Sequence, residues 1–562
     1  MTIPAETRAR DSIAEAGPKP RRLAGLLFAA GLLLVYVTQC VWFIRTQSFT
    51  VDEPEHIVAG LEAWRYGEFK QWHDQPPLAR LLFAIPLLRT DWSYAYIGQQ
   101  VHPIQPGPEV WLHRARAMNL LFGVALAVVL WITVRRMYSE SAANFALALF
   151  AFTPELIAHY SLATTDGAAT LFLFAAVVQL VRWRRNPSAG QAILLGLLLG
   201  GMLLAKFSMP PMFLLAMVLI LLLKADGVVW RPRRWNWARA ALVLFVACGV
   251  VWTGYFYHVS KVVFADGTVT LHFPGYTKLL TYPMPTPKYL AVEIPACEWF
   301  TGLGMVVYNN DMGHRSFFLG HVSPTGGWKL YFPVAVLLKW PTAVLLLAAC
   351  AVVLLFRRGL PGRSDLLLMS LFPAAYFTFA IFSRINIGVR HVLPVYPFLL
   401  LYAAALWEWA RGRRAVTALL LAAVLFQAGD CLRYAPDYLS YFNIFVNPEK
   451  GYELLSDSNT DWGQGLVALR NYQASHPSET LHLAYFGLVD PSWYDIRYLP
   501  LEESDRATGT VIVSATHLSG QLLQNPSSYH WLMAYPLKTV LDHTLYVFEV
   551  PANAFPQTGP GL

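Results

Sequence analysis

Residues 48–56 read SFTVDEPEH and set two carboxylates, Asp52 and Glu53, side by side just after an apolar run at 23–44. A positioned carboxylate can take the proton of an attacking hydroxyl as a general base. The same pair can also cap a helix, because acids favour a helix N-terminus and Pro54 suits a first turn. Other ionisable residues stand at the ends of apolar runs: Arg114 and Arg116 before 117–136, Asp166 in SLATTDGAATLF, and Lys206 in LLAKFSMPP. Arg384, Arg390 and His391 share the short segment SRINIGVRHVLP. Ionisable side chains at membrane depth are costly and point to function. Guanidinium forks match phosphate oxygens two at a time. Arg116, Lys206, Arg384 and Arg390 can therefore surround a phosphate or diphosphate, with Asp52, Glu53 and Asp166 beside it.

Plainer readings exist for each. Thr164-Thr165-Asp166 is good capping chemistry, and Arg390 or Lys206 can snorkel to lipid headgroups. His73, His102, His113 and His321 show no paired spacing on one helix, so the pattern supports no metal site. The stretch DSNTDWGQ at 457–464 reads as a capped helix start with a packed Trp. What favours the joint reading is that the residues fall on one side of the membrane once the topology is laid out.

That topology follows from composition. The chain of 562 residues is 56% hydrophobic and 14% charged, with a mean hydropathy of +0.40; soluble domains carry about a quarter charged residues. Apolar runs predict about eleven transmembrane helices, at 23–44, 117–136, 141–158, 165–183, 190–207, 210–224, 238–257, 329–356, 365–383, 392–410 and 415–431. Every second connection is basic: Arg8, Arg10, Lys19, Arg21 and Arg22; Arg135 and Arg136; Arg182, Arg184 and Arg185; Lys224, Arg231, Arg233, Arg234 and Arg239; Arg357, Arg358 and Arg363; Arg411, Arg413 and Arg414. Such clusters mark cytoplasmic loops, so the N-terminus is placed in the cytoplasm. The net charge of +8 reflects these loops and not a nucleic-acid groove. Five cysteines give no disulfide framework.

The fold class predicted is thus a polytopic α-helical membrane protein. Residues 1–22 form a cytoplasmic tail and 23–431 a transmembrane domain with external loops 45–116 and 258–328. Residues 432–553 form an external soluble α/β domain, and 554–562 a disordered tail. Within the first loop, 53–66 predicts a short helix, and QPPLARLLFAIPLL at 75–88 an interfacial one. Strand-like TLHLAYFG, GTVIVSA and TLYVFEV and helix-like DWGQGLVALRNYQ mark the C-terminal domain.

Several stretches run in order along nearly the whole chain: FTVDEPEHIVAG, QPPLARLL, RARAMNLLFG, TPELIAHYSLATTDGAAT, LAKFSMPP, GHVSPTGGWKLYFPVAVLLKWP, INIGVRHVLPVYPFL and DSNTDWGQGLVAL. With them the chain resembles the lipid-carrier-dependent glycosyltransferases of the protein O-mannosyltransferase and aminoarabinose-transferase type (the GT-C fold, glycosyltransferase family 39-like). The resemblance implies a polyprenyl-phosphate-sugar donor and an acceptor hydroxyl on protein, lipid or glycan. It implies that Asp52 is the catalytic carboxylate; Glu53 and Asp166 are expected to orient the acceptor or sugar, or to hold cationic residues in place. It further implies that Arg116, Lys206, Arg384 and Arg390 lie near the lipid phosphate, with His391 and Arg80 completing the substrate-binding set.

Two departures stand out. Gln75 replaces a frequent His of that family, and loop 258–328 is too short for the β-trefoil of the eukaryotic enzymes. Displacing a sugar from phosphate needs one base and no general acid, unlike a glycosidase, so inversion with Asp52 as base is expected. The rival readings are a transporter or flippase for a lipid-linked sugar, or a glycan polymerase. The pattern neither demands nor excludes a divalent cation, and it does not specify an oligomeric state. A bacterial inner (plasma) membrane location is expected.

Overall fold

The computed structural model describes residues 20–69, 74–97, 100–105, 107–224, 227–228, 234–265, 267–272, 280–283, 289–357 and 359–555. The tails at 1–19 and 556–562, with Arg8, Arg10, Lys19, His73, Arg231, Arg233 and Arg358, lie outside the described residues.

The membrane part is a helical bundle. Seven helices among the described residues are long and apolar enough to cross a bilayer: Leu23–Thr46, Pro108–Met137, Asp166–Arg185, Trp237–Gly254, Arg363–Ile381, Val389–Trp409 and Arg414–Leu432. Two of the expected spans are broken. The run 141–158 becomes Glu140–Ala151 and Pro154–Tyr160, bent by 68°, and 329–356 becomes Tyr331–Lys339 and Thr342–Phe356, bent by 116°. Pro154 and Pro341 explain both. A residue before proline is pushed to extended backbone, and Thr153 and Trp340 adopt it, with ψ of 109° and 145°. The runs 190–207 and 210–224 form helices of 17 and 13 residues, shorter than the ~20 needed to span unaided. Spans of full length therefore number seven to nine among the described residues, so the eleven expected are not all seen as full-length spans.

The short helix Ala189–Ala205 packs closely on Trp237–Gly254. A Cβ at Gly196 would come within 2.9 Å of Val243 O, and one at Gly200 within 2.9 Å of Ala247 O. This is the small-residue spacing that lets membrane helices approach.

On the Asp52 side, Glu53–Tyr66 forms one helix and Pro77–Ala84 a second that continues as a 3-10 turn, Ile85–Leu87. Segment 258–328 is more regular than its sequence suggests. Strands Leu280–Pro283, Thr268–His272, Val259–Ala265 and Tyr289–Pro295 make one antiparallel sheet in that order, followed by helix Cys297–Met312.

Beyond 432 a five-stranded sheet forms. Leu481–Ala484 pairs in parallel with Leu499–Pro500 and Gly509–Ser514, and Leu545–Val550 joins Gly509–Ser514 to Leu537–Leu541 in antiparallel fashion. The two central strands are buried along most of their length, as their β-branched, apolar composition requires. The helix expected at 461–473 starts only at Leu466; Asp457–Asn459 forms a single 3-10 turn, and 460–465 a loop. This region has a core of its own around Val511, Val513, Tyr546 and Phe548 and also packs on the helical part. Trp462, Leu466, Leu481 and Val547 share one hydrophobic core with Phe49, Leu87 and Tyr396 of the helical part.

Candidate active site

The segment leading to Asp52 is clamped by the C-terminal region. Ser48 N donates to Gln464 O at 2.9 Å, Val51 N to Trp462 O at 3.0 Å, and Leu466 N to Ser48 Oγ at 3.0 Å. Asp52 then takes the N-cap position of helix Glu53–Tyr66, yet its side chain makes no capping hydrogen bond. It accepts instead from Arg390 Nη1 through Oδ2 at 3.1 Å. That contact argues against the simple cap reading.

Arg390 is the hub. Its Nη1 also lies 3.5 Å from Asp166 Oδ2, its Nε donates to Ser458 Oγ at 3.2 Å, and its guanidinium carbon sits 4.0 Å from the centre of the Trp462 ring. An arginine over an indole face gains a further electrostatic attraction. Asp166 is buried and pairs with Lys206 through its other oxygen. Asp52, Asp166, Lys206 and Arg390 thus form one alternating cluster, and Asp52 alone of its carboxylates is substantially reachable, with a side chain 31% exposed against 1% for Asp166. His391 follows Arg390 in the chain, and its buried Nε2 has no hydrogen-bond partner among the described residues.

Arg116 is placed differently from the expectation. Glu53 is fully buried. It accepts from Arg116 Nε and Nη2, both at 2.8 Å, from Thr50 N at 2.9 Å and Oγ1 at 3.1 Å, and from Ala163 N at 2.7 Å. Arg116 spends its remaining donors on Gln47 O and Ser48 O at 2.8 and 2.7 Å and on Ile44 O at 3.5 Å. Neither has a hydrogen-bonding position left for a substrate: Glu53 holds a cationic residue in place, and the pair is a buried staple. Arg384 is likewise set apart. It donates to Asp311 O at 2.5 Å and makes no ion pair with the Asp52 cluster among the described residues.

Arg80 is buried and its Nε donates to His56 Nδ1 at 3.3 Å. Burial pushes the His56 imidazole well below its usual range, with Arg80 as the next cause. A ring that accepts at Nδ1 and is held neutral carries its proton on Nε2.

Sequence reasoning missed the loop 457–462, which supplies Ser458 and Trp462. It also missed the support below that loop. Lys339 Nζ donates to Asn459 O at 2.6 Å and Leu439 O at 2.9 Å and lies 3.4 Å from Glu155 Oε1. Glu155 Oε2 in turn is 3.2 Å from His159 Nε2. This triad joins the breaks of both bent spans to the loop under Arg390. The appearance of TPELIAHY, KWP and DSNTDW among the ordered motifs was the available signal.

A second joint ties the C-terminal region to the bundle. Gln47 Nε2 donates to Asp437 Oδ1 at 3.0 Å and Asp542 Oδ2 at 3.4 Å. Burial pushes these carboxyls up to about 6 and about 8. Their ordinary value is ~3.9, so the folded chain holds protons that the unfolded chain releases between about pH 4 and pH 8. Stability from this joint is greatest in acid and is lost as pH rises through that window. Thermal unfolding in detergent should therefore show the wild-type midpoint falling more between pH 5.5 and 8.5 than that of Asp542→Asn. Equal slopes would remove the joint from the account.

Among the described residues no group of three or more His, Cys, Asp or Glu is arranged to hold a metal ion. Residues 112–252 match the family model described as dolichyl-phosphate-mannose-protein mannosyltransferase. No curated protein sequence matches the chain. Among solved structures, ArnT from Cupriavidus metallidurans in the apo state is similar at 15% identity and a TM-score of 0.45, covering 95% of this chain and 99% of that one. The same protein bound to undecaprenyl phosphate gives 14% and 0.44, with the same coverage. The S. cerevisiae protein O-mannosyltransferase Pmt1-Pmt2 complex bound to its sugar donor gives 11% and 0.49, covering 78% and 92%.

Proposed function

We propose that the chain transfers a sugar from a polyprenyl-phosphate carrier to an acceptor hydroxyl at the outer face of a bacterial plasma membrane, with inversion and with Asp52 as general base. The observation that carries this reading is the exposed Asp52 carboxylate held by Arg390, which also contacts buried Asp166. The acceptor oxygen attacks the anomeric carbon while Asp52 takes its proton. The bond from that carbon to the phosphate oxygen breaks, and its electron pair stays on the phosphate.

Charge accounting favours this assignment. Asp52 and Asp166 balance Arg390 and Lys206, so the resting cluster is near neutral when all four are ionised. The leaving phosphate gains one negative charge as Asp52 loses one by protonation. Protonated Asp52 holds Arg390 less strongly, and the guanidinium is freed to serve the phosphate at the moment charge develops there. Asp166 is a positioning residue in this scheme, fixing Lys206 and Arg390. His391, with its free Nε2, offers a further contact to substrate.

The outer-face placement is supported by helix polarity. Arg116 and Asp166 stand near the start of Pro108–Met137 and Asp166–Arg185, whose last turns carry Arg135 and Arg136, and Arg182, Arg184 and Arg185. Basic clusters mark the cytoplasmic ends. The direct test of inversion is the anomeric configuration of the product, read by NMR coupling constants against the donor. Inversion is expected. Retention, which a single in-line displacement does not give, would overturn single displacement with Asp52 as base.

A further inference from the structure

The stretch 456–464 touches both members of the reacting pair, a property the transfer scheme leaves unused. On one side the Trp462 carbonyl accepts from Val51 N at 3.0 Å, next to Asp52, and the Gln464 carbonyl accepts from Ser48 N at 2.9 Å. On the other side the Trp462 ring faces the Arg390 guanidinium. Ser458 Oγ accepts from Arg390 Nε at 3.2 Å and donates to Ile387 O at 2.8 Å. Asn459 Oδ1 accepts from Val389 N at 2.9 Å. Ile387, Val389 and Arg390 are thus all fastened from one stretch of the C-terminal region.

The seam between them is close. A Cβ at Gly388 would lie 2.1 Å from Ser458 Oγ. Gly388 has a φ of 173°, extended backbone that any residue adopts. Glycine is therefore required there by the approach of Ser458 and not by the dihedral angle. The stretch is also anchored away from the site. Asp461 Oδ2 accepts from Thr516 N at 3.1 Å, and the Asp461 carbonyl accepts from Thr516 Oγ1 at 2.8 Å. Asp457 Oδ2 accepts from Gln521 Nε2 at 3.2 Å, and Ser440 Oγ donates to Thr460 O at 2.6 Å. Asp457 takes a φ of 58°, a left-handed conformation that a residue other than glycine keeps where its surroundings impose it.

We propose that Ser458 and Trp462 are positioning residues that fix the Arg390 guanidinium beside Asp52, with its third nitrogen left for the leaving phosphate; the proposal rests on the transfer reading above. Ser458 and Asp52 hold two of the guanidinium nitrogens, Nε and Nη1. Nη2 makes no hydrogen bond among the described residues and is open to a phosphate oxygen. Donors fixed in advance of the charge they meet cost no reorganisation when it develops, and a guanidinium free to turn would lose that advantage. The C-terminal region then takes part in the reaction through the seam.

The test is binding to the purified full chain in detergent, with polyprenyl phosphate and with the uncharged polyprenol of the same length. Wild type should prefer the phosphate. Ser458→Ala should reduce that preference by about three- to tenfold, the worth of one hydrogen bond to a charged group. Gly388→Ala should lose more, because its methyl drives Ser458 off the seam. Adding Ser458→Ala to Gly388→Ala should bring the preference back to that of Ser458→Ala alone, since the remaining Ser458 Cβ lies 3.3 Å from the new methyl. Trp462→Phe, which keeps a ring face for the cation, should lose less than Trp462→Leu. Polyprenol binding should stay unchanged throughout, whereas a merely structural role would lower it together with phosphate binding. The proposal is overturned if Ser458→Ala keeps the full preference, if both ligands weaken equally, if the paired change does not recover, or if Trp462→Phe and Trp462→Leu lose alike. A wild-type chain that binds polyprenyl phosphate no better than polyprenol would remove the donor assignment itself, and the proposal with it.

Discussion

Asp52→Asn is expected to lower sugar transfer by about 10²–10⁴-fold, the usual loss on removing a general base, while the chain folds and binds its carrier normally. The amide keeps the size of the carboxylate and can still accept from Arg390 Nη1, so the 3.1 Å contact need not break. What it loses is the ability to take a proton. The loss should fall on the rate at saturating donor and acceptor, with little change in the concentrations that give half-maximal rate. Transfer at near wild-type rate by a folded Asp52→Asn protein would exclude Asp52 as base. A parallel loss of carrier binding would mean that Asp52 matters through Arg390 alone.

Glu53→Gln is expected to behave oppositely, as a folding defect. The substitution leaves the fully buried Arg116 guanidinium without its carboxylate. Removing one partner of a buried ion pair costs about 3–5 kcal/mol, a large fraction of the ~5–15 kcal/mol that holds a domain folded. Three segments come loose together, because Glu53 also accepts from Thr50 and from Ala163. Poor yield, a lowered thermal midpoint and a broadened elution profile in detergent should accompany any loss of activity. The double change Glu53→Gln, Arg116→Met should recover only part of the stability, since Gln47 and Ser48 carbonyls lose their donors as well. A Glu53→Gln chain as stable as wild type but inactive would return Glu53 to a catalytic role.

The contrast between these adjacent acids marks what the sequence could and could not disclose. Residue types and topology brought Asp52, Asp166, Lys206 and Arg390 to one side of the membrane, and the structure joins them through Arg390. Hydropathy could not say which acid meets which cation, because that depends on helix rotation and on the turn at 161–165. Arg116 was therefore grouped with the phosphate-facing cations although Glu53 and three carbonyls consume it. The same blindness affected the spans. Apolar length treats 329–356 as one helix, whereas Pro341 turns it through 116° and sets Lys339 under the loop that carries Ser458. That loop looked like a helix start because Asp, Ser, Asn and Thr are capping residues; here they bond to each other and to Lys339, Val389 and Arg390. Strands in 432–553 were easier to see, since runs such as VIVS and LYVF are buried on both faces.

The central claim is that lipid-linked sugar is consumed by transfer. The most direct measurement counts polyprenyl phosphate released from a polyprenyl-phosphate-linked sugar by purified protein in detergent, with and without acceptor. One polyprenyl phosphate should appear for each sugar gained by the acceptor, with neither product formed by Asp52→Asn above its reduced rate. A lipid-linked sugar that stays intact in detergent under every condition, yet crosses the bilayer when the chain is placed in vesicles, would contradict the account and leave a transporter in its place.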